Sequence, residues 1–150
     1  MLPTGRRLAI DYGDVRVGVA ISDAAGILAT PYKTFPQDTA LGSLPAVVEQ
    51  ENVVVIYVGL PLHLSGQPGE SAHKAENFAR QLKMQISSDV MIRLIDERLS
   101  SKSAQEKALI AGKKVGRDSI DQLAAVEILE SALMFEKSNS ALAGKAIPSE

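Results

Sequence analysis

The chain has 150 residues, 45% of them hydrophobic and 23% charged, with no cysteine, two histidines and a formal net charge of −2. That length suits one domain with a core of its own, since about two-thirds of the extended surface is buried at this size. The composition excludes a disulfide framework, a thiolate zinc site, a cysteine nucleophile and a histidine-rich metal site, so any metal would be a hard ion held by oxygen.

Met1 to Arg7 runs directly into a short apolar stretch that contains Asp11. Neither a signal sequence nor a span of about 20 apolar residues is expected there. The expectation is a soluble, cytoplasmic protein that makes no membrane contact. Arg7 to Tyr12 reads as a strand and Gly13-Asp14 as a hairpin turn. Arg16 to Ser22 returns, with Val17, Val19 and Ile21 on one face and Gly18 and Ala20 on the other. A third strand is expected from about Ile27 to Phe35, with Pro31 pointing to a sheet edge. A helix from Leu41 to Glu51 precedes Val53 to Val58, an unbroken apolar run that suits a parallel strand covered on both faces. Then come a loop (Gly59 to Gly69), a helix to Gln85 and a strand from Val90 to Ile95. Ser100 to Ile110 is helical, Ala111 to Arg117 is a Gly- and Lys-rich loop, and Asp118 to Lys137 is a last helix. From Ser138 onward no core pattern remains, so 138–150 is expected to be a disordered tail on a single domain over 1–137. This order predicts an α/β fold: a mixed five-stranded sheet, three antiparallel strands then two parallel ones, flanked by helices.

Chemistry in open α/β sheets gathers at the carboxyl ends of the parallel strands. Asp11, Gly59 and the pair Asp96-Glu97 all fall at or just beyond such ends. Asp11 lies in an apolar strand on the face of Ala9, where a carboxylate is costly unless paired or bound to a cation. The plainer reading is a strand-end acid capping the Gly13-Asp14 turn. Asp121 shares a helical face with Ala124, Ala125, Ile128 and Ala132, while Glu127, Glu130 and Ser131 mark the solvent side. Small residues on that face let the helix approach the sheet and bring the carboxylate towards the strands. A capping box, with Asp118 as N-cap, is the structural alternative. Glu97 falls in the turn before Ser100, where it could equally be a surface acid paired with Arg98, and Asp96 is the alternative acid of that pair.

Three acids brought together repel unless protons or cations neutralise them, and with no histidine or cysteine adjacent the natural counter-ion is Mg²⁺ or Mn²⁺. Carboxylate-held divalent ions are the usual machinery for displacement at a phosphodiester. Between Arg98 and Arg117, six basic residues (Arg98, Lys102, Lys107, Lys113, Lys114 and Arg117) stand against Glu106 alone, which suits a polyanion contact or a solvated loop. His63 lies in the loop beside these ends and reads as a structural loop residue or a phosphate contact, whereas His73 reads as surface. The few aromatic residues are too scattered for a base-stacking platform.

Four segments together resemble the YqgF/RuvX family of bacterial proteins: Ile10 to Asp23, Val58 to Pro61 with Gly66, Asp96 to Ser100, and Ile120 to Leu129. The resemblance covers about Arg7 to Phe135. It implies a ribonuclease-H-like fold and a metal-dependent nuclease, a hydrolase of ester bonds that matures the 5′ end of pre-16S ribosomal RNA during ribosome biogenesis. Relatives of this fold resolve Holliday junctions, so branched DNA is the alternative substrate. By resemblance, Asp11, Glu97 and Asp121 are the catalytic and metal-binding acids, and Asp121 rather than Asp118 takes the last place. Arg98, Lys102, Lys113, Lys114 and Arg117 would hold the nucleic-acid backbone. Two positions depart from the family pattern: Asp14 stands where Thr is commoner, and His63 where Asn is common. A non-catalytic RNA-binding factor working with ribosomal assembly partners is a second class of function. An ATP-binding protein is a third, because the Asp11–Gly13 hairpin also resembles the phosphate loop of actin-like ATPases. Those need two such domains, and this length provides one.

Overall fold

The computed structural model describes residues 2–61, 69–96 and 117–147. Its elements are β1 (Arg6–Tyr12), β2 (Arg16–Ser22), β3 (Ala29–Pro36), α1 (Gln37–Gln50), β4 (Val53–Leu60), α2 (Glu70–Lys83), β5 (Met91–Asp96), α3 (Arg117–Asn139) and β6 (Lys145–Ala146). One sheet runs in the order β3-β2-β1-β4-β5-β6. The three N-terminal strands pair antiparallel, and β1, β4 and β5 are mutually parallel. The mixed sheet is as expected, with β3 and its Pro31 at one edge.

Alternation along the central strands sorts the side chains between two cores. Leu8, Ile10, Val17, Val19, Ile56 and Val58 point to the face covered by α1 and α2, where Leu44, Phe78 and Leu82 close the layer. Ala9, Ala20, Val55 and Tyr57 point to the opposite face, against Ala125, Ile128, Leu129 and Ala132 of α3. The second core is built largely of alanine, so α3 lies close on the sheet. α1 starts four residues earlier than its hydrophobic pattern suggests, because the Gln37 amide donates to the Val15 carbonyl (2.9 Å) and turns the chain straight out of β3.

Two features lie beyond the sequence reading. The segment expected to be a disordered tail instead supplies a sixth strand, since Lys145 and Ala146 pair antiparallel with Leu94 and Arg93. Arg93 secures it by donating to the carbonyls of Ala143 (2.9 Å) and Gly144 (2.7 Å), and Ala143 is buried. Backbone pairing and one arginine do this, which is why no hydrophobic pattern announces it. The second feature is a buried ion pair: Arg7 and Glu136 are 3% and 5% exposed. The Arg7 guanidinium donates from Nη2 to Glu136 Oε1 (2.8 Å) and from Nε to both carboxylate oxygens. The Tyr57 hydroxyl donates to Glu136 Oε2 (2.6 Å) and accepts the Ala143 amide (3.2 Å). Every charge there is answered, which is the condition for burying such a pair. It ties β1, β4, the C-terminal turn of α3 and the segment before β6 together. No helix among the described residues is long and apolar enough to cross a membrane.

Candidate active site

The site lies at the carboxyl ends of the parallel strands. Leu8 and Ile10 belong to the α1/α2 core and Ala9 to the α3 core, so alternation turns Asp11 towards α3. Asp11 is half-buried. Across the β1–β2 ladder its partner is Gly18, and across the next ladder Gly18 pairs with Thr34. Directly opposed residues of antiparallel strands share a face, so Asp11, Gly18 and Thr34 form a row beneath α3.

Gly18 explains how α3 is seated. A Cβ at this position would overlap the Asp121 carbonyl and lie 2.9 Å from the Asp121 Cβ. The bare backbone of Gly18 therefore admits the first turns of α3 at the one point of the row next to Asp11. Ala124 and Ala125 continue the close contact, both buried. Gln122 fixes the register by donating from Nε2 to Thr34 Oγ1 (3.0 Å). Asp121 is half-buried, and its Oδ2 accepts a hydrogen bond from Arg16 Nε at 3.0 Å.

The structure places Asp11 and Asp121, two of the three expected acids, each next to Gly18, Asp11 as its ladder partner and Asp121 where α3 crosses it. Glu97 lies outside the described residues, as do His63, the expected helix from Ser100 to Ile110, and Arg98, Lys102, Lys107, Lys113 and Lys114. Asp96, the alternative acid, ends β5 opposite Leu60. It alternates with Ile92 and Leu94 of the α1/α2 core, so it belongs to the face away from Asp11 and Asp121. Ile95 packs on the α3 side. Arg117 opens α3, and the backbone of Asp118 is already helical, so the helix does not begin at Asp118 as an N-cap reading requires.

Asp14 does not join the acids. It is drawn to α2, where Lys74 Nζ lies 3.3 Å from its Oδ1, and this carboxylate holds the Lys74 ammonium above its ordinary pKa. Tyr12, the residue after Asp11, faces the other core. Its ring lies 4.8 Å from that of Phe78 and its hydroxyl accepts from Gln37 Nε2 (3.0 Å). His73 is exposed.

Asp11 and Asp121 offer carboxylate oxygen alone, the donor chemistry of a hard divalent ion rather than of zinc in a soft site. The Arg16 guanidinium, 3.0 Å from Asp121 Oδ2, already gives this carboxylate a countercharge. The residues fit such an ion, although no group of three or more acids or histidines able to hold a metal occurs among the described residues. Arg16, Thr34 and Gln122 were not singled out from the sequence. Arg16 reads there as the first residue of a strand, and only the crossing of α3 over β2 brings it to Asp121.

Comparison with known proteins agrees with this architecture. The family described as RuvX: Holliday junction resolvase matches residues 5–134. A protein of Clavibacter michiganensis subsp. michiganensis (strain NCPPB 382), named "Putative pre-16S rRNA nuclease", is 41% identical over 150 aligned residues, covering 96% of this chain and 92% of its own. One of the same name from Corynebacterium jeikeium (strain K411) is 45% identical over 134, covering 86% of each chain. Among solved structures, T. thermophilus RuvC in complex with Holliday junction substrate superimposes with a TM-score of 0.62 at 12% identity, over 91% of this chain and 98% of that one. That likeness is one of fold: the mixed sheet with helices on its faces is ribonuclease-H-like.

Proposed function

The chain belongs to the RuvX family, and from that premise we propose that it is a metal-dependent nuclease that hydrolyses a phosphodiester bond of RNA, at the 5′ end of the 16S ribosomal precursor. The observation that carries this reading is the seating of Asp121 over Gly18, beside Asp11, by the close approach of α3. Asp11, Asp121 and Glu97 are the ligands for Mg²⁺ or Mn²⁺. The chemistry that an ion so held supplies is a more acidic water and neutralisation of charge on the phosphoryl oxygens.

The protein's own contribution is positioning. β1, paired with β4 as far as Ile10 and with β2 through Asp11 and Gly18, fixes Asp11, and Gly18 and Gln122 fix where α3 delivers Asp121. Neither carboxylate has to be gathered from a flexible loop, so little ordering cost attends assembly of this part of the site. Arg98, Lys102, Lys113, Lys114 and Arg117 contact the phosphate backbone and orient the strand without reading bases. The whole chain acts as one nuclease domain, with the C-terminal strand β6 as part of it and the cytoplasm as its compartment.

The test is cleavage of end-labelled RNA carrying the 16S precursor 5′ flank, beside a four-way DNA junction, with Mg²⁺, Mn²⁺ or EDTA. The reading predicts cutting of RNA that needs the metal. Cutting of the junction alone would move the substrate to branched DNA. Salt-sensitive RNA binding with no cutting of either would make the protein an assembly factor and overturn the enzymatic reading.

A further inference from the structure

Arg16 and Asp121 approach one another from different elements, the first residue of β2 and the first turns of α3, with Nε and Oδ2 3.0 Å apart. Both side chains are about a quarter exposed, 28% and 24%, so the pair is screened from water on one side and open on the other. A carboxylate assigned to a divalent ion is thus held here by a cation of the protein itself. The two cations compete for one ligand: a guanidinium and a divalent ion on the same carboxylate oxygen would stand within a few ångströms of each other and repel.

We propose that Arg16 is an exchangeable counter-ion. It occupies Asp121 until a divalent ion takes the carboxylate, and it is then released onto a phosphate of the nucleic-acid substrate. The inference rests on the nuclease reading of the site. Arginine suits this exchange because its charge cannot be given up, so no proton enters or leaves. Its planar fork also matches a phosphate as well as it matches a carboxylate. Placed beside Asp121, the guanidinium is within reach of a phosphate drawn to an ion on that carboxylate. Metal and substrate then bind cooperatively, each strengthening the other by the same factor.

The experiment uses the full chain as wild type, Arg16→Met, Arg16→Lys, Asp121→Asn and the Arg16→Met/Asp121→Asn double variant, each first checked for a cooperative melt. Mn²⁺ affinity is read without nucleic acid from the electron paramagnetic resonance signal of the free ion. Affinity for a single-stranded RNA is read by fluorescence anisotropy in EDTA. Removing the competing cation makes Arg16→Met bind Mn²⁺ about threefold tighter than wild type, the size of coupling found for partly exposed ion pairs. Arg16→Lys, which keeps the charge, stays near wild type. In EDTA, Asp121→Asn removes the Asp121 hold on Arg16 and tightens RNA binding, and this gain is about threefold smaller in the Arg16→Met background, a coupling that cancels the simple loss of a negative charge. Mn²⁺ binding by Arg16→Met that is unchanged or weaker, or an equal effect of Asp121→Asn in both backgrounds, overturns the exchange while leaving the metal site standing. Failure of the wild type to bind Mn²⁺ overturns the metal reading and the exchange with it.

Discussion

Replacing Gly18 with alanine places a methyl group where α3 crosses β2. The new Cβ would lie 2.5 Å from the Asp121 carbonyl carbon and 2.9 Å from the Asp121 Cβ, and it would overlap the carbonyl oxygen. Ordinary carbon–carbon contact is about 3.5–4.0 Å, so the first turns of α3 must retreat by about 1 Å. Both obstructing atoms of the carbonyl are backbone, and no side-chain rotation relieves the clash. Overpacking of this kind costs about 1–3 kcal/mol. In a chain of this size that lowers the melting temperature by roughly 3–10 °C. The catalytic cost is of similar size, because displacing a positioned group by about 1 Å costs on the order of 100-fold in rate. Gly18→Ala is therefore expected to fold, to melt several degrees below wild type, and to cleave RNA about 100-fold more slowly under single-turnover conditions. Gly42→Ala is the control: nothing lies within 4 Å of an added Cβ there, and it sits in α1. It should gain about 0.5–1 kcal/mol and keep full activity. Wild-type melting and wild-type cleavage by Gly18→Ala would refute the argument that Gly18 is what seats Asp121.

Other consequences follow from the second core. Glu136→Gln leaves the Arg7 guanidinium buried without its countercharge, and urea denaturation should show a loss of about 3–5 kcal/mol. Burial first, and then the hydrogen bond to Glu136, push the Tyr57 phenol well above its ordinary value of 10.0. With the folded pKa raised, this contribution is complete below pH 10.0 and is lost as pH rises beyond it, because the unfolded chain releases the proton first. Stability measured between neutral pH and strong alkali should fall less steeply in Tyr57→Phe than in wild type. Deleting 140–150 removes the two Arg93 bonds and the Ala143–Tyr57 bond, and should lower stability by roughly 1–4 kcal/mol in the same denaturation assay. An unfolding free energy equal to that of the full chain would mean that β6 contributes nothing.

Asp121 was legible in the sequence because a 3.6-residue period distinguishes the packing face of α3 from its solvent face, and the acid lies on the packing side with Ala124, Ala125 and Ile128. Asp11 was legible for the equivalent reason at period two. The same helical period reaches further along α3. Glu136 lies four residues beyond Ala132 on the buried face, where an acid demands a buried cation, and Arg7 is that cation. No local pattern points to Arg7, 129 residues away. The Arg16–Asp121 pair was hidden likewise, since its members are 105 residues apart and meet only through the crossing of α3 over β2. The sixth strand is not legible in the sequence, because two residues held by backbone pairing leave no hydrophobic alternation to read.

Asp11 and Asp121 are the proposed holders of the divalent ion on which the nuclease reading depends. The most direct measurement compares initial rates of metal-dependent RNA cleavage for wild type, Asp11→Asn and Asp121→Asn. Both substitutions preserve side-chain shape, and Asp121→Asn gives up only a partly exposed ion pair, worth about 1 kcal/mol or less of stability. Folded variants that melt near wild type and no longer cleave RNA in Mg²⁺ or Mn²⁺ are the predicted result. Cleavage at the wild-type rate by either variant would contradict the account.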